Sequence, residues 1–293
     1  MNPLHFLFLL SIILIWGVNF VMIKVSLQEL SPWLLCCLRF FLSSVPAVFF
    51  VPFPKTSIKM VAFYGLTTFA VQFTLLFMGM QTGMSAGLTS LLLQSQVFFT
   101  ILLAILFLGE KLHRWHVFGA LLSFSGIAFI GIHLSGVISF SGLALILCAA
   151  FCWGSGSIIS KKTGSIDALG LVVWGSLFAW PPLLALSMAI DGPHEIFTTL
   201  LNLSWPSIGA SLYTAYLATL FAFGGWNWLL RYYPLFTITP FSLLVPIVGM
   251  ASSALVFQEP LYPWKIYAGF LVISGLCVNV FGPRLMPKKG LLQ

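Results

Sequence analysis

The residues of this chain best equipped for chemistry stand where polar groups are costly. Arg39 lies inside the apolar run 33–51, and Asn19, Gln72, Gln94, Gln96 and Asn227 lie inside other apolar runs. A guanidinium presents five donors in a fixed fork that matches a carboxylate. A side-chain amide offers both donors and an acceptor. In an apolar setting such groups need a partner, a cavity or a ligand to offset their desolvation. The chemistry they suit is recognition of a small polar molecule. Covalent chemistry has less support: there is no His-Glu-x-x-His and no phosphate-cradling glycine loop. No paired acid and base stands at depth, so an enzyme is not expected. His113 and His116 have no third ligand near them, so neither a metal nor a cofactor is expected. Cys36, Cys37, Cys148, Cys152 and Cys277 fall in apolar stretches at spacings that fit neither a disulfide framework nor a zinc site.

The elements that must hold these residues follow from composition. Of 293 residues, 60% are hydrophobic and 6% charged, and mean hydropathy is +1.06. A soluble chain carries about 25% charged residues to cover its surface. Lipid is therefore the solvent for most of this surface. The net charge of +7 reads as loop charge, because no basic run sits beside aromatic residues on a polar platform. The expected partners are a lipid bilayer and a small-molecule substrate, with no nucleic acid; a monomer is compatible with the pattern. The stretch Leu4–Ile23 lacks a basic start and an Ala-x-Ala-like cleavage site, and it is long enough to span, so it is expected to stay as a helix.

A bilayer core takes about 20 helical residues to cross. Spanning segments must be helical, because lipid offers no partner to an unpaired backbone group. Charges mark their limits. One helix fits residues 1–23 and one fits 33–51; two fit between Lys59 and Glu110, with a turn near Gln81-Thr82-Gly83. Two more fit between Arg114 and Lys161, with a break at His133-Leu134-Ser135-Gly136. Single helices fit 168–190, 205–230, 235–257 and 264–281. The expected fold is an all-α polytopic membrane protein with ten transmembrane helices. With the N-terminus inside, ten Lys and Arg residues fall in cytoplasmic segments and two, Lys24 and Lys265, fall outside, leaving Arg39 aside. That bias predicts both termini in the cytoplasm of a bacterial inner membrane.

The chain also repeats itself. Trp16-Gly17 followed by Lys24 returns as Trp153-Gly154 followed by Lys161, an offset of 137. Glu110-Lys-Leu112, Trp115 and Gly126 return as Glu259-Pro-Leu261, Trp264 and Gly275, an offset of 149. Two halves, 1–134 and 135–293, each with five helices, must insert with opposite orientation because five is odd. Inverted repeats around a membrane-centred cavity are a recurring transporter plan.

Helical spacing groups the candidate contacts. Trp16, Asn19, Phe20 and Ile23 share one face. Trp153, Gly156, Ser157 and Ser160 occupy the equivalent face in the second half, where small residues equally suit close packing. Tyr216, Thr219, Leu220, Phe223 and Asn227 form a stripe with hydroxyl, amide and aromatic groups, suited to an amphipathic ligand. Gln94 and Gln96 point to opposite faces, so only one is expected in a shared cavity; with Gln72, Gln96 completes the candidate binding set. Arg39 either snorkels to an interface or attracts a substrate carboxylate. Lys24 and Lys161 read as anchors at helix ends, and Glu110 and Glu259 as carboxylates preceding helix N-termini.

Trp16-Gly-Val-Asn-Phe-Val-Met-Ile-Lys24, Leu38-Arg39-Phe40, the run from Leu91 to Leu112 ending Leu-Gly-Glu-Lys-Leu, and the run from Pro240 to Glu259 resemble the EamA family of the drug/metabolite transporter superfamily. Within it, Gly83-Met-Ser-Ala-Gly-Leu-Thr-Ser-Leu-Leu-Leu-Gln-Ser-Gln96 and Ser242-Leu-Leu-Val-Pro-Ile-Val-Gly249 look most like the bacterial O-acetylserine/cysteine exporters. One departure is Val97 at the position matching Pro246, so a helix kink at both sites is not implied. The resemblance implies export of small neutral or zwitterionic amino-acid metabolites; alternatives are export of other amino acids or import of a nucleotide-derived metabolite. A pump for lipophilic cations would call for a buried carboxylate.

Overall fold

In the computed structural model, residues 1–82, 89, 92–110, 114–133, 139–163, 167–258 and 263–282 are described. The elements among them are helical, and no strand occurs among the described residues. The long helices are α1 (Pro3–Ser26), α2 (Pro32–Ser44), α3 (Ile58–Gln81), α4 (Gln96–Leu108), α5 (Arg114–His133), α6 (Phe140–Lys162), α7 (Ala168–Ile190), α8 (Trp205–Tyr232), α9 (Leu235–Phe257) and α10 (Pro263–Phe281). A short helix, Pro193–Leu201, joins α7 to α8.

Local chemistry sets many of these boundaries. Asn2, Ser31, Ser57, Ser139, Asp167 and Ser204 each place a side-chain oxygen on a backbone N–H of the first turn that follows. Pro3, Pro32 and Pro206 sit in first turns, where a missing N–H costs nothing. Gly109 ends α4 at φ +63°, a conformation that glycine adopts without strain. The second helix is shorter than the run 33–51 suggests. It stops at Ser44, because Val45 precedes Pro46 and takes an extended conformation.

Among the described residues, seven helices (α1, α3, α6, α7, α8, α9, and α2 with the turn that follows it) are long and apolar enough to cross a membrane. Gln96–Leu108 and Ile266–Asn279 are apolar but shorter. Large apolar side chains such as Phe107, Phe118, Phe140, Leu255 and Phe270 face outward. A soluble protein does not expose so much apolar surface. The chain is a multi-pass membrane protein.

The bundle packs α2 on α7, α1 on α8 and α9, α6 on α3 and α4, and α5 on α10. Glycines bring two of these crossings close. A Cβ at Gly17 would collide with Val248 of α9, and one at Gly154 would press on Phe99 and Thr100 of α4. Small residues bring the backbones together where lipid supplies no hydrophobic drive between helices. Two helices also widen mid-length: Leu66–Val71 in α3 and Tyr213–Phe221 in α8 are π-helical. Such segments turn by more than 3.6 residues, so they shift side-chain register and free backbone carbonyls.

Candidate functional site

Arg39 does not snorkel. It is 4% exposed, and its Nε donates to Thr219 Oγ1 at 2.7 Å. The guanidinium carbon stands 4.9 Å from the Phe73 ring centroid and 5.6 Å from that of Phe40, within cation–π range. No described carboxylate pairs with it, and no described residue takes a hydrogen bond from its two terminal nitrogens. Beside it lies a cavity of about 10 Å³, lined by Ile23, Leu35, Cys36, Arg39, Phe73, Phe77 and Thr214. That volume holds about one water.

The π segment of α8 builds this arrangement. Thr219 Oγ1 donates to Thr214 O, five residues back, at 2.8 Å. It thereby turns its lone pairs toward Arg39. Trp16 Nε1 donates to Ala218 O at 3.0 Å, taking up another carbonyl of the widened segment. The Trp16 ring also packs edge-on against Trp153 at 5.4 Å and Phe223 at 5.3 Å, and Phe223 lies 5.0 Å from Trp153. Trp16, Trp153 and Phe223 thus come together as one aromatic core at the meeting of α1, α6 and α8.

The other expected contacts divide. Asn227 Nδ2 donates to the Tyr64 hydroxyl at 2.9 Å, deep between α8 and α3. Asn19 Oδ1, Gln72 Oε1 and Gln96 Oε1 are buried with no hydrogen-bond partner among the described residues, as is Gln94 Oε1. Ser157 Oγ turns back to Trp153 O at 3.3 Å. Phe20 is half-buried against Gly249. Tyr216 stands apart from its stripe, 36% exposed, whereas Thr219, Phe223 and Asn227 are buried. The stripe assumed 3.6 residues per turn, and the π segment rotates Tyr216 away from that face. Tyr64 and Thr214 escaped the sequence reading. Each is a hydroxyl at membrane depth, which is the signal that marks them.

Residues 4–132 and 140–281 match the EamA-like transporter family. The chain belongs to this family. The transporter is 39% identical over 281 residues to a "Probable amino-acid metabolite efflux pump" of Escherichia coli, 94% of each chain being covered. It is 40% identical over 282 residues to the protein of the same name in Salmonella typhimurium, again with 94% of each chain covered. A solved crystal structure superposes with a TM-score of 0.77, covering 97% of this chain and 99% of the other at 16% identity, and so shares the fold.

At one end of the transporter, polar groups gather differently from expectation. Glu110 follows α4, and its carboxylate accepts Leu235 N–H at 3.0 and 3.2 Å, so it stands at the start of α9. Lys161 pairs with Glu110 Oε1 at 3.4 Å and donates to Tyr233 O, so it is tied within the bundle. The Tyr233 hydroxyl accepts Asn2 N–H at 3.1 Å and shares a hydrogen bond with His5 Nδ1 at 2.8 Å. At the opposite end, Ser204 N–H donates to Glu29 Oε2 at 2.9 Å, and Ser31 Oγ donates to Asp191 Oδ2 at 2.6 Å. Lys24 stands 4.1 Å over the Phe257 ring. Glu259, His113 and the pentad Gly83-Met-Ser-Ala-Gly87 lie outside the described residues. That pentad has the Gly-x-Ser-x-Gly spacing of a nucleophile elbow, which needs a strand before it, and the described residues contain none.

Proposed function

We propose that this transporter exports small neutral or zwitterionic amino-acid metabolites, cysteine and O-acetylserine among them, and that Arg39 receives the substrate carboxylate. The observation that carries the reading is a buried guanidinium with no carboxylate partner among the described residues, beside a cavity. A buried charge without a counter-ion is costly, and a carboxylate ligand offsets that cost with charge-assisted hydrogen bonds. The two relatives named as amino-acid metabolite efflux pumps support the substrate class.

Export proceeds, on this reading, by alternating access between two inverted five-helix halves, 1–134 and 135–293, with ten spans in an inner membrane and both termini in the cytoplasm. Packing supports the repeat. Under the two sequence offsets, Gly17 against Val248 becomes Gly154 against Phe99, and both contacts are present. Trp16 and its equivalent Trp153 meet each other, as equivalents do beside a two-fold axis. Ser123 Oγ donates to Val272 O, 149 residues on, at 3.1 Å. A cavity of about 10 Å³ admits no amino acid, so the halves must part to load it.

The test is exchange of labelled cysteine and O-acetylserine in proteoliposomes, with wild type and Arg39→Gln. Wild type exchanges them, and the variant shows a KM raised more than about tenfold, the loss of one charge-assisted contact. Wild type that moves neither compound overturns the substrate class. An unchanged KM in the variant removes Arg39 from the site.

A further inference from the structure

We infer that Lys161 is a second carboxylate site, where an arriving substrate displaces Glu110 and so unties the end of the bundle at which it loads. The inference deepens the export reading and rests on it for direction. Lys161 lines a cavity of about 300 Å³ with Leu230, Arg231 and Tyr232. The Arg39 cavity is about 10 Å³. An amino-acid metabolite fits the first and not the second, and pockets that bind small molecules start at about 300 Å³. In this conformation, then, a substrate has room beside Lys161 before it has room beside Arg39.

The ligand class follows from what Lys161 already holds. Its ammonium stands 3.4 Å from Glu110 Oε1 and donates to Tyr233 O. An incoming carboxylate of the same charge and shape can take the place of Glu110 without leaving the ammonium unpaired. Exchange of one anion for another is inexpensive because both side chains are partly open to solvent, 22% and 11% exposed.

The consequence comes from the other bonds of Glu110. Its carboxylate holds Leu235 N–H, the first residue of α9, from a position just after α4. Lys161 lies in the last turn of α6. The carboxylate therefore links three helices at one end. Captured by substrate, Lys161 lets Glu110 go, and the end of α6 loses its tie to α4 and to the start of α9. Loading and opening become one event, in which the ligand favours the open arrangement because only there does it gain its contact.

The experiment uses the full chain in lipid nanodiscs with Tyr232→Cys as reporter, since Tyr232 is in the cavity wall and exposed. The exposed Cys148 and Cys277 are replaced by Ser to remove background. The labelling rate with a charged thiol reagent is measured with added L-serine or L-serinamide, which differ in the carboxylate. Serine slows labelling and serinamide does not. Lys161→Gln abolishes protection, whereas Glu110→Gln moves half-protection to severalfold lower serine. Arg39→Gln keeps protection even though its KM for exchange is raised. Thermal unfolding confirms that each variant is folded. The double reversal Glu110→Lys/Lys161→Glu restores the pair but gives no protection by serine. Protection that survives Lys161→Gln, or that returns in the double reversal, reduces the pair to a structural tie and overturns the inference. So does the absence of protection by serine in the wild type. Protection without any exchange by wild-type proteoliposomes overturns the export reading and leaves the capture site standing.

Discussion

Arg39 on α2 and Thr219 on α8 are 180 residues apart in sequence, and the Nε of one donates to the hydroxyl of the other at 2.7 Å. The Thr219 hydroxyl spends its own proton on Thr214 O, which the π segment leaves within reach. That exchange makes the threonine a pure acceptor toward the guanidinium and fixes the fork with its two terminal nitrogens free for a ligand.

Thr219→Val keeps the shape of the side chain and removes the acceptor. A buried Arg39 Nε then lacks its partner, which costs about 1–3 kcal/mol. The expected outcome is a lowered melting temperature, together with a KM for amino-acid substrate raised about tenfold in counterflow. Thr219→Ser, which retains the hydroxyl, restores both.

Asn19 and Asn227 should behave differently when changed to Leu. Asn19 Oδ1 is buried without a partner, so its loss relieves an unpaired polar atom. Asn19→Leu is expected to leave thermal stability equal or higher while transport collapses. Asn227 supports Tyr64, so Asn227→Leu lowers stability, and Tyr64→Phe reproduces part of that loss. Normal transport by both asparagine variants assigns these amides to packing and moves the site elsewhere.

The excess of Lys and Arg in alternate loops predicts the orientation. A membrane-impermeant thiol reagent applied to intact cells should label Gly192→Cys and spare Lys289→Cys. The opposite pattern reverses the orientation and removes the charge argument for inverted halves.

The described carboxylates sit in loops or at helix ends: Glu29 after α1, Glu110 after α4, Asp167 capping α7, Asp191 closing it, and Glu195 in the short helix that follows. A proton-coupled carrier uses a carboxylate at depth. Replacing each of the six acidic residues by its amide should therefore leave no variant that keeps counterflow yet loses pH-driven transport. Glu29 does respond to pH. Ser204, donating from its side chain and backbone, holds its carboxyl below the ordinary value of 4.5. Its contribution to stability is therefore present above that value and is lost as pH falls through the lower, folded one. The thermal stability of wild type should fall on acidification below about 4.5, and less so in Glu29→Gln.

Where the sequence was legible, one physical signal dominated. The limits of 168–190 and 235–257 match helices to the residue, because Asp167 and Asp191 bound the first and Pro234 and Gln258 bound the second. The limit of 33–51 did not, because Pro46 overrides an apolar pattern that says nothing about backbone sterics. Tyr216 was grouped with Thr219 on a period that α8 abandons, and no residue type announces a π segment.

By itself, the sequence determined that lipid is the solvent, that helices cross it, which family the chain resembles, and that Arg39 lies among apolar neighbours. Those conclusions depend on composition and local spacing, which need no partner. Only the tertiary structure decided what the polar groups meet. It gave Arg39 to Thr219, Asn227 to Tyr64, and Glu110 to Lys161 and Leu235, each across more than 50 residues of chain. A hydrogen bond is satisfied within about 3 Å, and which groups come that close depends on how the helices cross.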